Sequence, residues 1–265
     1  MSTRALRTAA SGMFAQQYNI EVISNNMANM NTTAYKKNKA EFSDLMYQEV
    51  PTNSISYSGD AQGQSNESRI QIGNGVQPVS TQKIFQQGSI QPTYNQFDLA
   101  INGDGFFQIR KPDGTFVYTR DGSFKINADG QMVTSLGYHL DPEIQLSEDT
   151  SSVSISRAGS VEVAEADGNS YSLGDIQLVR FMNSGGLKAL GDNLYSETDA
   201  SGIPIFGTSG ENGFGEINQG YLESSNVDIV EEMIAMISAQ RAYEINSKTV
   251  KTVEEMMTMA NNLKR

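Results

Sequence analysis

Leu6, Met13, Ile20 and Met27 recur at intervals of seven, and Ala9, Ile23 and Met30 stand three residues after the first, third and fourth of them. An apolar residue at every a and d position of a heptad is the pattern of a helix that buries one seam against another helix. Gln16 is the single exception. The spacing predicts a first helix from Ser2 to about Asn29, roughly 40 Å long at 1.5 Å per residue, ended by the polar run Asn29, Asn31, Thr32 and Thr33. Asn25, Asn26 and Asn29 lie along it, where a polar residue can fix the register of a seam or end a helix.

The other end of the chain repeats the theme. A second helix begins near Ser225, with Asp228, Glu231 and Glu232 in its first turns and Lys264 and Arg265 at its far end, the order of charge that the helix dipole favours. Ile234, Ile245 and Met256 are eleven apart, as are Ala242 and Val253, so this stripe stays on one face of a nearly straight helix. Ile237 joins it, and Glu244 and Lys248 are placed for an i,i+4 ion pair. At about 57 Å, such a helix overhangs any domain that the rest of the chain can build. Stripes of this kind are covered by each other or by further copies.

Between the helices the period changes from helical to alternating. Asn102-Gly103, Asp104-Gly105, Asp113-Gly114, Asp121-Gly122, Asp129-Gly130 and Asp167-Gly168 are hairpin turn signals. Phe106 to Ile109, Phe116 to Tyr118, Phe124 with Ile126, Met132 with Val133, Val153 to Val163 and Ile176 to Phe181 supply short strands between and beyond them. Pro51 to Gly75 is rich in Ser, Asn, Gln and Gly and has the composition of a linker. The fold class expected is therefore α+β, with long terminal helices in a coiled-coil layer and an all-β domain inserted between them. The domains expected are 1–45 with 223–265 for the helices, 46–81 for an extended segment, and 82–222 for the β domain, with a glycine-dense loop from Gly207 to Gly220.

Composition excludes several functions. A formal net charge of −12 leaves no basic surface for nucleic acid. The absence of cysteine removes disulfides, thiolate metal sites and a cysteine nucleophile. No apolar run is long enough for a membrane-spanning helix. Ser2 to Ile20 carries Arg4, Arg7 and no acid, as a cleaved transit peptide does, but the stripe continues past Glu21 and the far terminus mirrors it. His139 is the single histidine, so no serine-histidine triad or histidine metal set can be assembled. The Gly73/Gly75 and Gly103/Gly105 pairs lack the third glycine of a dinucleotide fingerprint, and the Asp-Gly steps match no calcium loop. No cofactor, metal or catalytic residue is expected. The rival reading from another class is a secreted carbohydrate-active or calcium-binding β protein whose helices cap its own domain.

The motifs decide between these readings. Asn25-Asn26-Met27-Ala28-Asn29, with Thr32 and Tyr35-Lys36-Lys37, resembles the N-terminal signature of the flagellar rod and hook protein family. Ser225-Asn226-Val227-Asp228 and Gln240-Arg241-Ala242-Tyr243-Glu244-Ile245-Asn246 resemble that family's C-terminal helix. Gly105-Phe106-Phe107, Tyr118 to Phe124 and Asn193-Leu194-Tyr195 resemble its central β domain. Ala34 stands where the family commonly has glycine, so a difference in that turn is expected. The length, and the segment Tyr47 to Val76, are similar to the distal-rod branch rather than to the longer hook branch, with the proximal-rod branch the nearest competitor.

The resemblance implies a structural subunit, not an enzyme, that polymerises into a helical tube and transmits torque, with the segment after the first helix stiffening it. It implies export through the flagellar type III apparatus without a cleaved signal, and a place in the basal body, in the rod crossing the periplasm. The partners it implies are further copies, the proximal rod, the hook protein, the P- and L-ring proteins and the rod cap. The assembly interface expected is Leu6, Met13, Ile20, Ile23, Met27 and Met30 with Ile234, Ile237, Ile245, Val253 and Met256.

Overall fold

The computed structural model describes residues 2–51, 69–147, 150–165 and 170–263. Two helices at the ends of the chain and a large β-rich middle make it an α+β protein, and the chain divides into two compact units.

The first unit comprises Met1–Asn25, Asn38–Gln82 and Val230–Arg265. It holds most of helix α1 (Ser2–Ala28), the strands β1 (Asn38–Asp44), β2 (Gln48–Pro51), β3 (Arg69–Ile72) and β4 (Val76–Lys83), and helix α2 (Ile229–Asn262). β1 pairs with β4, and β2 pairs antiparallel with β3, Val50 opposite Ile70. The linker expected from composition thus carries strands on both sides of residues 52–68, which lie outside the described residues. The two helices run antiparallel: Gly12 faces Asn246, while Thr8 and Ala9 share a cleft with Thr249. A Cβ on Gly12 would lie 2.8 Å from Asn246 Nδ2, so only glycine admits this approach without displacing the amide.

α2 starts at Ile229, later than the sequence pattern suggests. The reason is Asn226, whose side chain is committed to backbone groups elsewhere: Lys37 N–H donates to its Oδ1 at 2.7 Å, and its Nδ2 donates to Ile84 O at 2.8 Å and Gln86 O at 3.0 Å. A residue held by three such bonds anchors a connector rather than entering a helix.

The second unit comprises Asn26–Lys37 and Lys83–Ile229. Residues 26–37 therefore belong with the β domain, although the sequence groups them with the helices. Its strands are β5 (Ile90–Pro92), β6 (Leu99–Asn102), β7 (Phe106–Arg110), β8 (Phe116–Thr119), β9 (Lys125–Ile126), β10 (Met132–Val133) and β11 (His139–Asp141). They continue with β12 (Thr150–Ile155), β13 (Ser160–Glu165), β14 (Ser170–Asp175), β15 (Gln177–Arg180), β16 (Lys188–Gly191) and β17 (Leu194–Ser196), and finish with β18 (Ile205–Thr208), β19 (Glu216–Gln219) and β20 (Tyr221–Glu223).

A nine-stranded sheet runs β16-β17-β8-β7-β11-β10-β9, with β15 joining β7 to β18, and beside it lie the β12-β13-β14 sheet and the pairs β19-β6 and β20-β5. The core is a cluster around Leu99, Ile101, Phe107, Phe124, Val161 and Ile217. A second, aromatic cluster joins Phe106, Tyr118, Phe181 and Tyr195 through edge-to-face contacts.

Asp113-Gly114 and Asp129-Gly130 close the β7-β8 and β9-β10 hairpins as their sequence suggests. Asn102-Gly103 does not, because β6 pairs with β19 and β7 belongs to another sheet. Asp121-Gly122 links β8 to β9, which are not neighbours. Asp167-Gly168 lies outside the described residues.

Candidate assembly surface

Two features stand out, one in each unit. In the first unit, α2 carries apolar residues on two faces. Glu232, Ala239 and Val253 are buried, and Ala235, Ala242, Asn246, Val250 and Met257 are half-buried, all at three- and four-residue steps along one side. That inward face is made largely of small residues, which lets another backbone come close. The larger side chains face out: Val230 is 65 % exposed, Ile234 60 %, Ile237 48 %, Ile245 63 %, Met256 52 % and Met259 58 %. Positions 230, 234, 237, 245, 256 and 259 fall within an arc of about 100° on one face of the helix at 3.6 residues per turn. The expected ion pair between Glu244 and Lys248 is not formed; Lys248 makes no ion pair with any described residue.

α1 is organised the other way. Leu6, Met13 and Ile20 are half-buried and Ile23 is buried, so its seam turns inward. Phe14 alone among its large apolar side chains is exposed, at 70 %. The residues expected to form one interface therefore separate: Leu6, Met13, Ile20, Ile23 and Val253 lie within the unit, and Ile234, Ile237, Ile245 and Met256 face outward. Met27 and Met30 are half-buried in the second unit. From the C-terminal motif, Gln240, Arg241, Tyr243 and Glu244 are exposed, while Ala242 and Asn246 are on the inward face.

In the second unit the N-terminal motif forms a polar clasp. Asn26 is buried and accepts a hydrogen bond from Tyr35 Oη at 3.3 Å. Asn25 and Ala28 face out, and Asn29 is half-buried, its Oδ1 accepting from Thr32 Oγ1 at 3.2 Å. Ala34 has φ 55°, a conformation that glycine adopts without strain and alanine does not, and its N–H donates to Glu223 O at 2.8 Å. The turn thus keeps the glycine-type backbone in spite of the side chain.

Lys36 is fully buried. Its Nζ donates to Glu223 Oε1 at 2.5 Å and to Gln86 O at 2.8 Å. Glu223 is also buried, and its Oε1 accepts from Gly88 N at 2.8 Å while its Oε2 accepts from Arg120 Nε at 2.9 Å. The other guanidinium nitrogens of Arg120 reach the carbonyls of Ile101, Gly103 and Gly105. A Cβ on Gly88 would collide with the Ser224 carbonyl, so glycine is required for the strand carrying Glu223 to approach.

Two cations thus share one carboxylate away from water. Burial pushes the Lys36 ammonium below its ordinary pKa, Glu223 opposes that shift, and the Arg120 charge adds to it. Burial also raises the phenols around the clasp, Tyr118 to about 12, and Tyr195 further, with Tyr35 and Glu223 adding to the shift of the latter. Lys83, lowered by burial, lies 5.0 Å from the Tyr35 ring centroid. Among the described residues no three His, Asp or Glu side chains gather into a metal-sized cluster, and no described helix is long and apolar enough to cross a membrane.

The clasp was not assembled from sequence. Lys36 and Arg120 each lie within a recognised motif, but Glu223 is 187 and 103 residues away from them, and a buried charge cluster leaves no periodic trace.

The chain thus sets helices from its two ends side by side, leaves an apolar stripe of one of them exposed, and closes a β domain where it leaves and re-enters it. Comparison with known proteins names the family. Residues 6–36 match the family described as flagella basal body rod protein, residues 100–163 the flagellar hook protein FlgE/F/G D1 domain, and residues 218–263 the flagellar basal body rod FlgEFG protein C-terminal. Proteins named flagellar basal-body rod protein FlgG are similar along their whole length: that of Borreliella burgdorferi is 49 % identical over 99 % of both chains, and that of Caulobacter vibrioides 46 % identical over 98 % of this chain and 99 % of its own. The counterpart in Bacillus subtilis is 38 % identical over 99 % of both chains. The chain belongs to the flagellar basal-body rod protein family, whose members are structural parts of the flagellum and not enzymes.

Proposed function

We propose that the chain is the distal-rod subunit, polymerising through its helices into a helical tube that carries torque from motor to hook. The observation that carries this reading is the outward stripe Ile234, Ile237, Ile245 and Met256, each about half exposed or more in the single chain. A contiguous row of large apolar side chains on a soluble helix marks an interaction surface. The terminal helices then form the inner coiled-coil layer of the tube. The branch of relatives at 43–49 % identity, all named for FlgG, favours the distal over the proximal position. The partners follow from that place: the proximal rod, the hook protein, the P- and L-ring proteins and the rod cap, with delivery across the inner membrane by the flagellar export apparatus without a cleaved signal and a rod that crosses the periplasm.

Ile245→Asp tests the reading. Because Ile245 is 63 % exposed, its replacement leaves the unfolding free energy of the single chain within about 0.5 kcal/mol of the parent. An aspartate inside an apolar helix contact nevertheless stops polymerisation, and cells carrying the variant lack complete rods and do not swim. Complete rods built from Ile245→Asp would remove the stripe from the interface.

A further inference from the structure

We propose that the outer face of α1 from one copy docks antiparallel on the outward face of α2 from a second copy, in a register that sets Arg7 against Glu255, Phe14 against Lys248, and Glu21 against Arg241. The inference deepens the polymer reading above and rests on it.

Arg7, Phe14 and Glu21 are seven residues apart and all exposed, so they form one line down α1. Phe14 is 70 % exposed, and nothing on its own helix explains a bare aromatic there. Arg241, Lys248 and Glu255 are likewise seven apart and exposed, beside Ile245 at 63 % and Met256 at 52 %. Among the described residues neither Arg241 nor Lys248 has an ion pair. Among the described residues Glu21 accepts only a 3.3 Å hydrogen bond from Gln17 Nε2.

Charge decides the direction. Read forward, α1 presents a cation, an aromatic ring and an anion. Read backward, α2 presents an anion and then two cations. Antiparallel docking therefore yields Arg7 with Glu255 and Glu21 with Arg241, and lays the Lys248 ammonium against the Phe14 ring. Parallel docking with Phe14 against Lys248 places Arg7 beside Arg241 and Glu21 beside Glu255, two like-charge contacts. A second argument is independent of charge. α1 and α2 are antiparallel within one copy, so copies that all point the same way also present α1 antiparallel to a neighbour's α2.

The two faces differ, so the contact is head-to-tail. Each copy still offers its own α1 face and its own α2 face after one contact is made, and such a contact closes into a ring or continues as a helix. Where it continues as a helix, the assembly keeps an open end for the next subunit.

The absence of cysteine makes the test clean. Cells lacking the parental copy express two single-cysteine chains together, Glu21→Cys and Arg241→Cys, and isolated basal bodies are mildly oxidised. A dimer on a non-reducing gel is expected from this pair and not from Glu21→Cys with Glu255→Cys, which reports the parallel arrangement. Charge reversal is the second measurement: Glu21→Arg and Arg241→Glu each lower the yield of assembled rods by about tenfold, and the double variant restores it. Basal bodies that contain the cysteine chains without the expected dimer, or single reversals that the double variant does not rescue, overturn the docking while leaving the polymer reading intact. Basal bodies isolated from parental cells that do not contain this chain overturn both.

Discussion

Glu223→Gln is the perturbation from which the structure yields the clearest magnitude. The substitution keeps the shape of the side chain and removes its charge. Lys36 and Arg120, 0 % and 4 % exposed, are then left without an anion. Removing one partner of a buried ion pair costs about 3–5 kcal/mol, because the remaining charge stays desolvated. Here two cations are stranded, so about 4 kcal/mol is a lower-end expectation against a total stability of about 5–15 kcal/mol. Lys36→Met is the control. It leaves Glu223 and Arg120 as a matched pair and removes an ammonium that burial and Arg120 both disfavour. Its expected cost is about 1–2 kcal/mol, the loss of the bond to Gln86 O and of one bond to Glu223. Urea unfolding followed by near-ultraviolet circular dichroism measures both, with an unchanged slope showing that the native state is the same. Equal losses for the two variants would refute the reasoning, since they would mean that Glu223 is not the hub on which two cations depend.

Two further outcomes follow from the same unit. Ala34→Gly relieves a left-handed alanine at φ 55° and raises stability by about 0.5–1 kcal/mol, read as a higher urea midpoint; a lower midpoint would show that the turn is not strained. The phenol of Tyr118 titrates at about 12 in the folded chain against 10.0 in the unfolded one, so its contribution is fully present below pH 10 and is lost as pH rises from 10 towards 12. Tyr118→Phe flattens that alkaline decline in thermal midpoint, and an unchanged decline would assign it to other groups.

The helices were legible in the sequence because their periods are long and regular: α1 ends within a residue of its expected stop, and a long second helix, Ile229–Asn262, stands where one is expected. Which face of α2 turns inward was not legible. Side-chain size points to Ile234, Ile245 and Met256 as the buried set, yet alanines at 235, 239 and 242 occupy the inward face and the large residues are outside. Small residues leave a weak hydrophobic signal although they permit the closer approach, as at Gly12 against Asn246. Turn chemistry was a partial guide for a similar reason. Asp113-Gly114 closes a hairpin, whereas Asn102-Gly103 has the same local preference at a point where the chain changes sheets. A dipeptide encodes the bend and not the partner of the strand that follows.

On the proposed reading, the clasp and the stripe divide the work of one subunit between folding and association. Of the four points at which the chain passes between its compact units, three lead into residues tied together inside the second unit: Lys36 and Lys37, Ile84 and Gln86, and Glu223 with Asn226. A fragment of residues 82–222, the β domain that turn signals alone delimit, omits Lys36, Glu223 and Asn226 and leaves the Arg120 guanidinium buried without its carboxylate. The β domain is therefore complete only when segments from both ends of the chain have arrived. The outward stripe is the reverse case, since Ile245 and Met256, 63 % and 52 % exposed, contribute little to the single chain and in the proposed tube gain burial from another copy. Glu223→Gln and Ile245→Asp should accordingly fail in opposite ways, the first as a subunit that does not hold its fold and the second as a folded subunit that does not join.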